Sequence, residues 1–327
     1  MRRQPEVNFK LLPSVETPTS QTKRPISDGA EKWLRVPIKC LDHGFVQLVD
    51  YQGSDVSIEE AARVSYGGGT RKSSETEGLI RYLRRHDHTT PFEMASVKFH
   101  AKLPIFVARQ WVRHRTASIN ELSGRYSILS EEFYIPDAEN LAVQSTDNRQ
   151  GRGQLLKPQD AELTRVYLTE QATTQYDAYE WLLNDDGKGK PVNPDRPMVA
   201  RELARMPLGT NLYTEWYWQV NLHNFMHFER LRLDPHAQHE IRVYAQAMEH
   251  IGKEAFPIAW KAFENYELYA QKFTESELKI LTALLGSKRV QFTPEEITAG
   301  AADAGLTNRR ETQEVIDKFR DLGIVSS

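Results

Sequence analysis

The chain has 327 residues, one cysteine (Cys40) and a formal net charge of −3. That length supports one large domain or two ordinary ones, and the charge balance argues against nucleic acid or an anionic membrane as a general partner. One cysteine excludes an intrachain disulfide and a cysteine-based zinc site; with no membrane-length apolar run and no apolar stretch behind the N-terminal arginines, a cytoplasmic protein without a membrane is expected.

Residues 1–36 carry Pro5, Pro13, Pro18 and Pro25 among polar residues and read as an extended arm. Alternating apolar residues over 37–51 predict a strand. SIEEAARVSY (57–66) reads as a short helix, with Ser57 as N-cap and Glu60 completing a capping box. GGGTRKSS (67–74) reads as a loop, 75–86 as a helix and 95–104 as a strand. Residues 105–118 read as a helix entering an arginine-rich motif, and 131–136 as a short strand ended by Pro136. The polar stretch 140–160 is expected to be a loop, 161–185 a long amphipathic helix, and 185–197 a Gly- and Pro-rich break. A helix is expected over 199–209, then a very aromatic, partly helical segment over 211–233. Two helices split at Pro257 follow within 237–269. The tail from 273 shows three short helical patterns punctuated by Gly286, Pro294, Gly305 and Gly323. The expected division is thus an arm (1–36), a main domain (37–272) and a small helical extension (273–327).

The segment RHRTASINELSGRYS (113–127) concentrates Arg113, Arg115 and Arg125 in a slightly acidic protein. Clustered guanidiniums repel one another unless an anion neutralises them, and their planar forks match phosphate or carboxylate. Ser118 and Ser123 add hydroxyls, Asn120 an amide, and Gly124 allows close backbone approach to an anion. A solvated helix face is the plainer reading of the arginines alone; the whole set reads better as a phosphate site. No GxGxxG follows a strand, and GGGT lacks the Lys-Ser/Thr of a phosphate-binding loop, so no ordinary nucleotide fold is indicated.

Arg113-His114-Arg115 with Ser118, Glu121, Ser123 and Arg125 reproduces RHRxxSxxExSxR. That pattern resembles the signature of flavin-dependent thymidylate synthases, the ThyX family. AARVS (61–65), HTTPFE (88–93), PIFVARQWVRHR (104–115), YSILSEEFYIP (126–136), NLYTEWYWQVN (211–221) and LRLDPHAQHEI (231–241) resemble further family segments in the same order. The resemblance covers roughly 37–270. It implies an α+β fold with a central, mostly antiparallel sheet flanked by helices, and a homotetramer with active sites shared between subunits. It also implies FAD as cofactor and conversion of dUMP to dTMP, with methylenetetrahydrofolate as carbon donor and NADPH as reductant.

By position, the resemblance assigns Gln110 and Arg113 to dUMP. It assigns Arg113, His114, Arg115 and Glu121 to the flavin. Glu121, Leu122, Ser123, Gly124 and Arg125 fall to dUMP recognition, from a neighbouring subunit. Thr90 is assigned to FAD with His88 nearby, and Arg205 rather than Arg201 to the nucleotide. Asn221, Leu222 and His223 match a flavin-contacting triplet, and Arg232 the residue that polarises the uracil ring. Met94 stands where the family usually has His, and His227 where it often has Asn; His227 keeps a hydrogen-bonding role toward FAD.

The chemistry needs a nucleophilic uracil C5. Cys40 lies outside every motif, so a thiolate route is poorly supported. An arginine beside the uracil carbonyl instead stabilises negative charge as it develops on the ring, which makes Arg232 the catalytic candidate. Two rivals remain. His223 and His227, followed by His236, His239 and Glu240, have metal-ligand character, but HxxxH lacks the Glu of a zinc hydrolase and no metal is expected. The tail has a winged-helix rhythm, yet over 275–327 it carries seven Lys and Arg against nine acids, wrong for a DNA binder.

Overall fold

The alternating segment at 37–51 cannot run straight, because Leu41 takes a left-handed φ of 56° and turns the chain. In the computed structural model, which describes residues 9–13, 23–66, 76–146, 151–287 and 291–325, the expected strand is therefore a hairpin. Gly44 starts its second strand where a Cβ would meet the Tyr244 hydroxyl at 2.1 Å and the Cys40 carbonyl oxygen at 2.6 Å.

In chain order the elements are α1 (Asp28–Trp33), β1 (Pro37–Cys40), β2 (Gly44–Gln52), α2 (Asp55–Arg63), α3 (Thr76–Arg85), α4 (Thr90–Glu93) and β3 (Ser96–Pro104). Then come α5 (Ile105–Trp111), β4 (Ser118–Glu121), β5 (Ala142–Gln144), β6 (Arg152–Leu155), α6 (Pro158–Leu183), α7 (Arg201–Ala204) and β7 (Tyr213–Asn221). The chain continues with α8 (Leu222–Arg232), α9 (His239–Ala255), α10 (Pro257–Phe263), α11 (Glu275–Ser287), α12 (Pro294–Asp303) and α13 (Arg309–Asp321). A five-stranded antiparallel sheet has the order β1-β2-β3-β7-β4, and β5-β6 is a separate hairpin. The expected α+β architecture, a central antiparallel sheet flanked by helices, is what the chain forms.

Period-2 alternation decides which face is covered. Val97, Phe99, Ala101 and Leu103 of β3 and Trp216, Trp218 and Val220 of β7 are buried in the main core. Trp111 of α5, Phe225 and Phe228 of α8, and Tyr244 of α9 join them there. Lys98, His100, Tyr217 and Gln219 alternate onto the other, open face. A second core forms where α6 packs Tyr176, Tyr179 and Leu183 with Ala204, Phe133 and Leu212.

Several local expectations change. Asp28–Trp33 is helical and buries Ala30 and Trp33, where an extended arm was expected through 36. The capping box of α2 is Ser54 with Ser57, not Ser57 with Glu60. Residues 67–74, expected to be a loop, lie outside the described residues, as does 75, where the next helix was expected to begin. The helix expected over 105–118 stops at Trp111, and 131–136 contributes one β-bridge, Phe133 to Leu212, rather than a strand. The loop expected over 140–160 holds β5 and β6, and the helix expected over 199–209 shrinks to α7.

The C-terminal helices are fastened to the main body by charge. Arg81 of α3 makes a bidentate contact with Glu311 of α13, at 2.8 and 3.1 Å, and Glu311 is 3% exposed. Arg85 pairs with Glu314, Tyr266 donates to Glu311, and Arg310 lies 4.3 Å over the Tyr82 ring. Breaking a buried pair strands the remaining charge. Glu311→Gln is therefore expected to destabilise this docking by about 1–2 kcal/mol, discounted because Arg81 is partly exposed. Limited proteolysis should then release the C-terminal segment earlier than in wild type; an unchanged time course refutes the fastening role.

Candidate functional site

Pro104 ends β3 and starts α5, whose first amides bond to strand-side carbonyls: Ile105 N to Leu212 O at 2.9 Å and Phe106 N to Thr210 O at 2.8 Å. The far end is fixed by Trp111, fully buried with ring centroids 5.5 Å from Trp216, 5.3 Å from Trp218 and 4.9 Å from Phe228. Truncating such a residue typically costs about 3–5 kcal/mol, so the placement of the residues beside it is rigid. The helix then tightens, with His114 N to Trp111 O at 3.0 Å, and the Arg-His-Arg triplet sits in that turn. Beyond it the chain extends and pairs with β7, Ser118 opposite Gln219 and Glu121 opposite Trp216. Ile119 and Glu121 thereby share the helix-covered side. Ser118 and Asn120 instead line an open cleft of about 560 Å³ with Lys98, Tyr217 and Gln219. The motif is thus a turn and an edge strand.

Past β4 the backbone curls into a turn. Glu121 accepts from the Thr214 hydroxyl at 2.8 Å, and Leu122 N donates to Glu215 O at 2.8 Å. Tyr126 N and Ser127 N donate to the Ser123 carbonyl, and Arg125 N to its hydroxyl. Gly124 is buried: a Cβ there would lie 3.0 Å from Leu129 and 3.4 Å from the Arg205 side chain. Leu129 is in turn held by Tyr176 and Tyr179 of α6, at 2.9 and 3.0 Å. This turn therefore brings together Ser123, Gly124, Arg125 and Arg205. Arg201 is committed elsewhere, to Tyr126 O at 2.7 Å and Asp185 at 2.9 Å, whereas Arg205 is exposed. Among the described residues the Arg125 side chain makes one exposed ion-pair contact, with Glu202 at 3.4 Å.

A second group joins α5 to the end of α8. The Arg232 guanidinium donates to His114 Nε2 at 3.1 Å and to the Gln110 carbonyl at 3.1 Å. Gln110 is also hydrogen-bonded to Gln238. A guanidinium has no acceptor, so His114 Nε2 accepts and its hydrogen sits on Nδ1. Burial, and next the Arg232 charge, push the His114 pKa down to about 4, so the ring is neutral at neutral pH. His227 lies 5.9 Å away between ring centroids.

The third group surrounds the start of α8, about 16 Å from its end at 1.5 Å per residue. Asn221 caps the helix by accepting from Asn224 N at 2.9 Å. Leu222 is fully buried, so it offers only backbone. His223 Nδ1 faces a terminal nitrogen of Arg84 at 3.4 Å, and Arg84 forms an ion pair with Glu267. Thr90 and His88 are exposed. Met94 is 52% exposed, where a polar side chain would meet solvent or ligand rather than core.

The expected residues therefore form three groups, and Arg113 and Arg115 project from the turn beside them. Both are exposed, with no side-chain ion pair or hydrogen bond among the described residues. Unpartnered guanidiniums, a neutral imidazole and a small-residue turn form a donor set that suits a pyrophosphate-bearing ligand and a nucleotide phosphate. Two members of the metal rival have protein partners of their own: His236 with Asp234 at 2.9 Å, and Glu240 with Arg152 and Tyr134. Among the described residues no three of His, Cys, Asp and Glu form a metal-ligand set. Sequence reasoning missed Arg84, Arg230 and Thr214; their signal was position alone, Thr214 inside NLYTEWYWQVN and the two arginines beside quoted motifs. Cys40 is 1% exposed, and burial pushes its thiol pKa far up, so it holds no thiolate at neutral pH. Among the described residues no helix is long and apolar enough to cross a membrane.

The profile of the family described as Thymidylate synthase complementing protein matches residues 47–258. The flavin-dependent thymidylate synthase of Rickettsia bellii is 50% identical over 270 residues, 82% of this chain and 92% of that protein. That of Gluconobacter oxydans is 49% identical over 298 residues, 90% of this chain and 92% of that protein. A crystal structure of the UMP/dUMP methylase PolB from Streptomyces cacaoi bound with 5-Br UMP superposes with a TM-score of 0.60 at 33% identity. It covers 70% of this chain and 98% of that one.

Proposed function

The chain belongs to the flavin-dependent thymidylate synthase family, and from that premise we propose that it converts dUMP to dTMP with bound FAD. Methylenetetrahydrofolate supplies the carbon and NADPH the reducing equivalents in this reading. The observation that carries it is the signature itself, folded as a turn and edge strand with Arg113 and Arg115 unpaired among the described residues. Residues 37–272 are then the catalytic domain and 273–327 its extension. The single buried thiol suits a reducing compartment, the cytoplasm.

Bound FAD would supply the hydride that completes the methyl group. This chain's own residues bind and orient. Arg113 and Arg115, with His114, Glu121, Thr90, His88, Asn221, Leu222, His223 and His227, would hold the flavin. Ser123, Gly124, Arg125, Arg205, Gln110 and Leu122 would hold dUMP. Arg232, fixed by Gln110 and His114, would meet negative charge developing on the uracil. Cys40 cannot take the nucleophile's part, which supports activation by charge. The exposure of Arg113, Arg115, Arg125 and Arg205 on one chain supports a homotetramer whose subunits complete one another's sites. Anaerobic reduction by NADPH, followed by visible absorbance with and without dUMP, tests the reading. The expected result is a flavin spectrum that bleaches faster with dUMP; a protein that takes up no FAD refutes it.

A further inference from the structure

Three histidines around α8 are each met by an arginine. Besides Arg232 on His114, a terminal nitrogen of Arg84 faces His223 Nδ1 and one of Arg230 faces His227 Nδ1, both at 3.4 Å. Guanidinium groups only donate, so in each pair the facing ring nitrogen must be the acceptor. For His223 and His227 the ring hydrogen is then on Nε2. Resting on the flavin reading above, we propose that Arg84 and Arg230 are positioning residues: they hold His223 and His227 neutral, with Nε2–H as a donor to an uncharged acceptor of the flavin rather than as cations on its phosphates.

Arg84 cannot serve a ligand directly. Its side chain is 4% exposed, paired with Glu267, and lies 5.1 Å from the Phe92 ring and 5.7 Å from the Phe263 ring. What it can reach is His223. The charged groups facing His223 are Arg84 from α3, Glu93 from α4, Glu267 beyond α10 and His227 one turn along. Those facing His227 are Arg230 and Glu267. For both rings burial is the largest influence and the arginine the next, and both disfavour the imidazolium. The phosphates are left to Arg113 and Arg115, which have no other partner among the described residues. The chain thus divides its positive charge from its neutral donors.

Deuterium exchange at imidazole C2, followed residue by residue by mass spectrometry, reports each ring's titration in the flavin-free full-length chain. The expected midpoints of His223 and His227 lie below the ordinary value of about 6.5. Arg84→Met should raise the His223 midpoint by about one pH unit and leave His227 nearly unmoved; Arg230→Gln should do the reverse. Arg84→Met strands Glu267, so Arg84→Gln with Glu267→Gln is the second variant. It removes both charges and should still raise the His223 midpoint, by less. Wild-type midpoints at or above about 6.5, or no movement in either Arg84 variant, overturn the proposal. FAD affinity by flavin fluorescence separates this from the reading beneath it. His223→Ala should weaken FAD binding, and FAD affinity should become pH-dependent near the new midpoint in Arg84→Met. Unchanged affinity in His223→Ala overturns the flavin assignment of this wall, while the midpoints still judge whether the arginines hold the rings neutral.

Discussion

Arg232→Ala is expected to keep its flavin and lose turnover by about two to three orders of magnitude. The guanidinium is aimed rather than loose. Its Nε is spent on His114 and one terminal nitrogen on the Gln110 carbonyl, which fixes the plane of the fork. Charge so placed stabilises an oxyanion at a carbonyl without reorganising during the step. Arg232→Lys should rescue little, because an ammonium on a flexible stem cannot make both anchoring contacts and still face the ring. The measurement is dTMP formation under saturating dUMP and donor, with bound flavin counted by absorbance. The loss should fall on kcat more than on KM, since the charge matters most as the ring becomes negative. Turnover within about threefold of wild type in the alanine variant would mean that activation of the uracil lies elsewhere.

The same residues show how much could be read in advance. β3 was legible because its apolar residues alternate cleanly, one face buried and one wet. The helical character of 161–183 was legible from length and from the Gly-Pro break behind it. The edge strand β4 was not, because four residues with one apolar side chain carry almost no periodic signal and come one short turn after a helix. β7 does alternate, Trp216, Trp218 and Val220 against Glu215, Tyr217 and Gln219, but Tyr217 blurs the polar side and hides the period. β5 and β6 pair through exposed residues, so composition marked them as loop. The family motifs named the residues that the resemblance assigns to a ligand. They could not name Arg84 or Arg230, since an arginine in an amphipathic segment reads as solvated surface until packing shows otherwise. The order in which Gln110 and Arg232 meet across 122 residues is equally invisible without the fold.

Glu229→Gln is expected to stabilise the protein, and by more as pH rises. Glu229 sits in α8 between His227 and Arg230, is 0% exposed, and neither carboxyl oxygen has a hydrogen-bond partner among the described residues. Burial pushes its pKa well up, and Glu249 adds to this, while Lys253 opposes both; Lys253 is already held at 2.9 Å by Glu249 and Glu264. The folded chain therefore keeps this proton where the unfolded chain, with an ordinary value near about 4.3, has released it. The native state then binds more protons than the unfolded one, so stability falls with rising pH, by about 1.4 kcal/mol per pH unit at this group. The contribution is intact below the unfolded value and is lost progressively until the folded pKa is passed. Glutamine has the same shape and no proton to lose, so it removes that slope. Urea unfolding of both proteins at several pH values from about 5 to about 8 gives the difference directly. The gap in favour of the variant should widen with pH; a constant gap, or one that narrows, would show that Glu229 is ionised in the fold and that a partner for its charge exists in the assembled protein.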